Sequence, residues 1–268
     1  MKYLFIGFLW ISIFACSQER TNNTRGVNSE NPNTSVATGS NQTAEPFALL
    51  ELYTSEGCSD CPAAEAILNE IALDAWADRE YVYALSFHVD YWNKLGWKDE
   101  FSKSEFSDRQ RAYRKVFENK VIYTPQMIVN GTDEFVGSDA SKLKSAIKHA
   151  LNQQPKTYFT ITPNAEWTEI TIDPVNTDQD MVEHAAEYEL HTCIVERGLE
   201  TRIIRGENEG RTLKHENIVR YIVTNDWSTQ RSTQVLEYGA DFNEKFSIIS
   251  FVQHKSTRAI VGANIWNH

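Results

Sequence analysis

The sequence predicts a mixed α/β domain followed by an all-β sandwich, and three observations carry that expectation. From Phe47 to Asn152, short apolar runs alternate with segments of helical period. After Pro155 the helical period disappears, and strand-like runs recur between turn clusters. The 268 residues are 41% hydrophobic, enough for each half to bury a core of its own.

Phe47 to Thr54 (FALLELYT) is an apolar run bounded by Pro46 and a Ser-Glu-Gly turn, so it reads as a buried strand. Ser59 to Asp74 carries Ala63, Ala64, Ile67, Leu68, Ile71 and Ala72 at helical spacing, with Pro62 tolerated in the first turn. Tyr81 to Val89 is a second strand, followed by the aromatic loop DYWNKLGW and a charged helix over Glu100 to Glu118. Met127 to Val129, the turn Asn130-Gly131, and Glu134 to Val136 read as a hairpin. A last helix spans Asp139 to Asn152, giving the order β-α-β-α-β-β-α. A strand-helix-strand opening implies a parallel pair with a right-handed crossover. Beyond it, strands are expected at Thr157 to Thr162, Trp167 to Ile172, Ala185 to Val195, Ile218 to Val223, Phe246 to His254 and Arg258 to Trp266. They predict a β-sandwich, with an immunoglobulin-like arrangement as one form it could take.

Lys plus Arg is 26 against 37 for Asp plus Glu, a formal net charge of -11, which argues against binding nucleic acid through phosphate neutralisation. The acidic surface also disfavours docking on anionic lipid by charge, but not a covalent anchor. Tyr3 to Ala15 is almost wholly apolar, shorter than the roughly 20 residues needed to span a bilayer and right for the core of a secretory signal. Ile13-Phe14-Ala15-Cys16 resembles the bacterial lipobox, which makes Cys16 the lipidation site; a plain signal peptide cut nearby is the alternative. Either implies export to a compartment where disulfides persist. Residues 1–16 are therefore expected as a lipoprotein signal. Residues 17–46 are rich in Asn, Ser, Thr and Gly and are expected as a disordered tether. Such a tether holds the folded part roughly 30 Å from a cell membrane or outer membrane, facing the periplasm. The two folded parts are expected over 47–154 and 155–268.

The element order, with Gly57-Cys58-Ser59-Asp60-Cys61 after the first strand and Thr124-Pro125 before the third, resembles the thioredoxin fold. More closely, GCSDCP, SFHVDYW, GWKDEFS, RQRAY, YTPQMIVNG and VGSD resemble the exported thioredoxin-like family catalogued as domain of unknown function 1223. The likeness continues into RGENEGRTLKHENIVR. It implies a thioredoxin-like domain with Cys58 and Cys61 at its centre.

A thiolate at a helix N-terminus is stabilised by unpaired N–H groups and the helix dipole, so Cys58 is expected to attack a disulfide and Cys61 to resolve the mixed disulfide. Two alternatives stay open for the pair. One is a passive bridge, worth only about 2 kcal/mol for so short a loop; the other is half of a metal site. The resemblance implies a cis Pro125 opposite the cysteines, with the Thr124 backbone pairing an extended substrate. It also implies a buried acid on the strand leading to the turn, and Glu51 is proposed there as a proton acceptor for Cys61, with an exposed edge position or an Arg pairing as the alternative. His88, Asp90, Tyr91 and Trp92 follow the second strand and could line the site, with His88 as a further metal ligand. Asp60 and Glu56 beside Cys58 disfavour the thiolate, which leans the expectation toward reductase or isomerase work. The reading is an exported thiol-disulfide oxidoreductase with no dissociable cofactor, acting on exported client proteins with a separate redox partner. Its rivals are a copper chaperone using Cys58, Cys61 and His88, and a non-catalytic envelope interaction module. In the second half, the polar block Arg205 to Arg211 with His215-Glu216-Asn217 is expected as a structural loop or one that docks on the first domain. Cys193 alternates with His191 and Glu189, a pattern that fits a packed cysteine or a metal site.

Overall fold

The computed structural model describes residues 44–78, 81–236 and 245–268. The expected signal peptide, Cys16 and nearly all of the tether lie outside the described residues. FALLELYT becomes β1 (Ala48–Thr54), buried along its whole length. It is followed by α1 (Cys61–Asp78), β2 (Val82–His88), α2 (Ser104–Val116), β3 (Gln126–Val129), β4 (Asp133–Val136) and α3 (Ala140–Ala150). β1 and β2 pair in parallel, from Ala48 with Val82 to Thr54 with His88, as the intervening helix requires.

Because side chains alternate along a strand, β1 feeds two cores. Leu50 and Leu52 pack with Ala64 and Leu68 of α1 and Leu143 of α3. Leu49 and Tyr53 pack with Phe106 and Tyr113 of α2. Leu49, Leu50 and Leu52 are fully buried, each worth about 1.5–3 kcal/mol relative to exposure. The strand that carries the cysteine turn is thus firmly fixed. Asn130 (φ 46°) and Gly131 (φ 72°) supply the two left-handed residues of a tight hairpin turn between β3 and β4. A Cβ on Gly131 would collide with the Arg258 carbonyl oxygen, so this turn seats directly on the backbone near the C-terminus.

The second half contributes β5 (Thr157–Pro163), β6 (Glu169–Thr177), the short helix α4 (Gln179–Glu183), β7 (Tyr188–Glu196), β8 (Leu199–Arg202), β9 (Thr212–His215), β10 (Ile218–Asp226), β11 (Ser232–Val235), β12 (Phe246–His254) and β13 (Ile260–Asn267). The two halves, expected as separate domains, share one eight-stranded sheet in the order β13-β12-β7-β10-β2-β1-β3-β4. The junction is parallel pairing of β10 with β2 at Ile218 and Ser86, where the Ser86 N–H donates to the Asn217 carbonyl at 2.9 Å. The described residues form a single compact unit. The second half does stack two layers of strands. Phe159, Ile161, Ile170 and Ile172 of β5 and β6 cover Leu190, Ile194, Ile248 and Val252 of β7 and β12. However, one of those layers is the shared sheet, whose opposite side carries Cys193, Val195, Ile249 and Phe251 into the α2 core. The fold is therefore a mixed α/β arrangement around one large sheet. Among the described residues, no helix is long and apolar enough to cross a membrane.

Candidate functional site

Cys58 and Cys61 form a disulfide with their Cα atoms 5.4 Å apart. α1 starts at Cys61, two residues later than the sequence predicts, and the Cys61 N–H donates to the Cys58 carbonyl at 3.3 Å. Cys58 therefore stands in the turn that leads into the helix. Its Sγ lies 3.9 Å from the Thr124 carbonyl oxygen, and the Thr124–Pro125 bond is cis. Trp92 Nε1 donates to Thr124 Oγ1 at 2.8 Å, while the Trp92 Cβ would sit 3.3 Å from a Cβ on Gly57. One indole thus spans the cysteine turn and the loop before β3. The block Arg205 to Arg211 closes over the same turn. Asn208 Nδ2 donates to the carbonyls of Glu56 (2.8 Å) and Cys58 (2.9 Å), and Glu207 accepts from the Ser59 N–H at 3.2 Å. Under this cover Cys58 is only 1% exposed and Cys61 is fully buried, while Ser59 and Asp60 face solvent.

The structure turns Glu51, expected as a proton acceptor for Cys61, toward Arg109. Alternation along β1 turns it to the α2 face with Leu49 and Tyr53, opposite the face that packs on α1. There it accepts from Arg109 Nε (2.7 Å) and Nη2 (3.0 Å), Tyr53 (2.9 Å) and Tyr113 (2.5 Å). Burial raises its pKa, but the Arg109 charge and these hydrogen bonds outweigh it and hold the carboxyl below its ordinary value. The Arg pairing weighed from sequence is the arrangement found.

His88, from the end of β2, belongs to a buried polar cluster drawn from five segments. His88 Nδ1 sits 2.7 Å from Asp99 Oδ2, which also accepts from the Glu56 N–H at 2.9 Å. His215, at the end of β9, has Nε2 3.1 Å from Glu56 Oε1 and Nδ1 2.8 Å from Glu65 Oε2. Thr54 donates to Glu65 Oε1 at 2.6 Å, and Trp97 Nε1 to Glu56 Oε2 at 2.7 Å. The two imidazoles stand 5.2 Å apart at 75°. Burial works against the charge of both rings. Hydrogen bonds and charge from Glu56 and Glu65 nevertheless push His215 up to about 10, and Asp99 raises His88. Glu65 and Asp99 are held below their ordinary values by His215 and His88, against burial.

Sequence reasoning flagged His88, Glu56 and His215 separately but missed Glu65 and Asp99. A carboxylate on the apolar face of α1 beside Ala64 and Leu68 was the available signal for Glu65. Asp90 and Tyr91, expected near the site, bind α2 instead, through Ser107 (2.6 Å) and Gln110 (3.2 Å). Cys193 is a buried free cysteine whose thiol burial pushes up, and His191 engages Thr224 (2.8 Å) and Glu189 (3.0 Å) through its two nitrogens.

A family model matches residues 49–253, a span that includes the cysteine turn, the polar cluster and all of the joined sheet but β13 and the first residue of β1 and last of β12. The chain belongs to the DUF1223 family, proteins of unknown function. Two solved structures share the fold of this DUF1223 protein. A protein from Agrobacterium tumefaciens is 24% identical, covering 84% of this chain and 96% of its own, with a TM-score of 0.61. HBP35 of Porphyromonas gingivalis is 15% identical, covering 84% of this chain and 76% of its own, with a TM-score of 0.58. No curated protein matches the chain.

Proposed function

We propose that this chain is an exported, lipid-anchored thiol-disulfide oxidoreductase, thioredoxin-like in its first half, that reduces or isomerises disulfides of periplasmic or cell-envelope proteins. The observation that carries this reading is the Cys58–Cys61 pair in the turn between a buried strand and α1, with the Thr124 carbonyl 3.9 Å from Cys58. In the reduced state, the Cys58 thiolate attacks one sulfur of a client disulfide, and the other client sulfur leaves as a thiolate that takes a proton from solvent. Cys61 then attacks the mixed disulfide, re-forming Cys58–Cys61 and releasing the second client thiol. Two electrons pass from the dithiol to the client, and an external dithiol restores the reduced pair. No step uses Glu51, whose carboxylate is committed to Arg109. The client must displace the Asn208 segment or approach as it opens, since Cys58 is closed over. The copper alternative gains no support, because His88 is grouped with Glu65 and His215.

A second reading is favoured by the burial itself. A cysteine pair 1% and 0% exposed fits a structural bridge that exchanges nothing. Trapping separates the two. Incubated with a peptide disulfide, Cys61→Ser protein should accumulate a mixed disulfide through Cys58, while Cys58→Ser should not. Absence of any trapped adduct in Cys61→Ser would support the structural bridge.

A further inference from the structure

We propose that Glu65, His88 and His215 form a binding site for one divalent transition-metal ion of the zinc type, buried beneath the cysteine turn and independent of the cysteines. One ring nitrogen from each histidine and one Glu65 oxygen lie within 4.8 Å of one another. His88 Nε2 is buried with no hydrogen-bond partner among the described residues, although the side chain is 0% exposed. Leaving a buried polar atom unpaired costs about 1–3 kcal/mol, so a partner of some kind is expected there. The Nδ1 of the same ring is taken by Asp99, which leaves only Nε2 to face the cluster. His215 is arranged in the mirror sense. Its Nε2 is taken by Glu56, and its Nδ1 faces Glu65 Oε2 at 2.8 Å, an ion pair that a metal ion would replace.

A histidine whose second nitrogen is held by a carboxylate is the usual support for a metal-binding imidazole, since the carboxylate fixes ring orientation and raises the basicity of the ligating nitrogen. Both histidines have that support. Glu65 is oriented by Thr54 through Oε1, and its Oε2, now paired with His215 Nδ1, is the oxygen an ion would take. Charge points the same way. Three carboxylates (Glu56, Glu65 and Asp99) share this interior with two imidazoles, and a divalent cation bound by neutral rings compensates them as well as two protons do.

Two nitrogens and one oxygen favour borderline divalent ions such as zinc. They disfavour calcium and magnesium, which require more oxygens, and Cu(I), which prefers thiolates. Around a tetrahedral ion at about 2.0 Å the donors stand roughly 3.3 Å apart, so the His215–Glu65 pair, now 2.8 Å apart, opens slightly while wider separations, at most 4.8 Å, close in by on the order of 1 Å, and water completes the shell.

The test is zinc binding to the full chain with its disulfide oxidised, measured by calorimetry and by metal content after dialysis. The wild type should hold one equivalent. His88→Ala and His215→Ala should each weaken binding at least tenfold, and Asp99→Asn about 10- to 100-fold. Cys58→Ser/Cys61→Ser should bind as the wild type, which keeps the outcome separate from the redox reading. The proposal is overturned if the wild type takes up no stoichiometric zinc, if both histidine variants bind normally, or if the cysteine variant loses the ion. Should the histidine variants fail to unfold cooperatively in urea, the cobalt spectrum of the wild type decides. Visible bands of tetrahedral nitrogen and oxygen ligation uphold the site. A thiolate charge-transfer band, or no bands, removes it.

Discussion

Replacing Arg109 by Met should destabilise the protein by about 3–5 kcal/mol, the usual cost of stranding one partner of a buried ion pair. The structure supports the upper part of that range. The variant removes two guanidinium hydrogen bonds to Glu51, at 2.7 and 3.0 Å, from a carboxylate that is 0% exposed. It also removes the guanidinium from the faces of Tyr113 (5.4 Å) and Phe251 (5.1 Å), while Met refills much of the volume. Against a total stability of about 5–15 kcal/mol, that is a large fraction. The sign of the pH dependence is the sharper test. In the wild type Glu51 is held below its ordinary value of 4.5, so its contribution is present above that pH and is lost as pH falls through the folded value. Without Arg109, burial alone dominates and raises the folded value, so the same carboxylate destabilises increasingly as pH rises above 4.5. Urea unfolding followed by tryptophan fluorescence should therefore show a larger gap between wild type and variant at pH 8 than at pH 5. A gap below about 1 kcal/mol, or one independent of pH, would refute the reasoning. Glu51→Gln should leave the rate at which dithiothreitol reduces Cys58–Cys61 unchanged once the fold is shown intact; a slowed rate would return Glu51 to the redox chemistry.

Asn208→Ala removes two hydrogen bonds from the cysteine turn and should cost about 1–3 kcal/mol while accelerating reduction of the disulfide by dithiothreitol; unchanged kinetics would show that the Asn208 segment does not limit access. Burial, with a smaller effect of Arg109, lowers His191 from 6.5 to about 4 against the pull of Glu189, so the ring is neutral in the folded protein at neutral pH. The unfolded chain then takes up a proton first, and stability should fall by on the order of 3 kcal/mol between pH 6.5 and 4. His191→Gln should flatten that part of the urea-stability profile, and an unaltered slope would assign it to other groups.

The sequence made the elements of the first half legible because FALLELYT and YVYALSFHV are apolar runs closed by turn residues, and Asn130-Gly131 can do little else than turn. β8, β9 and β11 were not expected, since LETR, TLKH and STQV are four residues each and carry too few apolar side chains to show a period. The joining of the two halves was equally hidden. It depends on pairing between Ser86 and Ile218, more than a hundred residues apart, and nothing local to either residue encodes it. The cysteine pair was readable because its chemistry lies within four consecutive residues. The polar cluster beneath it was not, because Glu56, Glu65, His88, Asp99 and His215 come from separate elements that only the closed sheet brings together. Glu51 was placed on the correct strand, with pairing to an unnamed Arg left as an alternative to the redox role. Its partner Arg109 lies on a helix whose packing side the sequence left open.

The central claim is that Cys58 and Cys61 cycle between dithiol and disulfide. Its most direct test is the reduction potential of the pair in the full chain, by titration against glutathione or dithiothreitol with mass-spectrometric readout. A reversible two-electron couple between about -280 and -120 mV, the range of working exchange proteins, is the predicted result. A pair that stays oxidised below about -300 mV, as structural disulfides do, would contradict it.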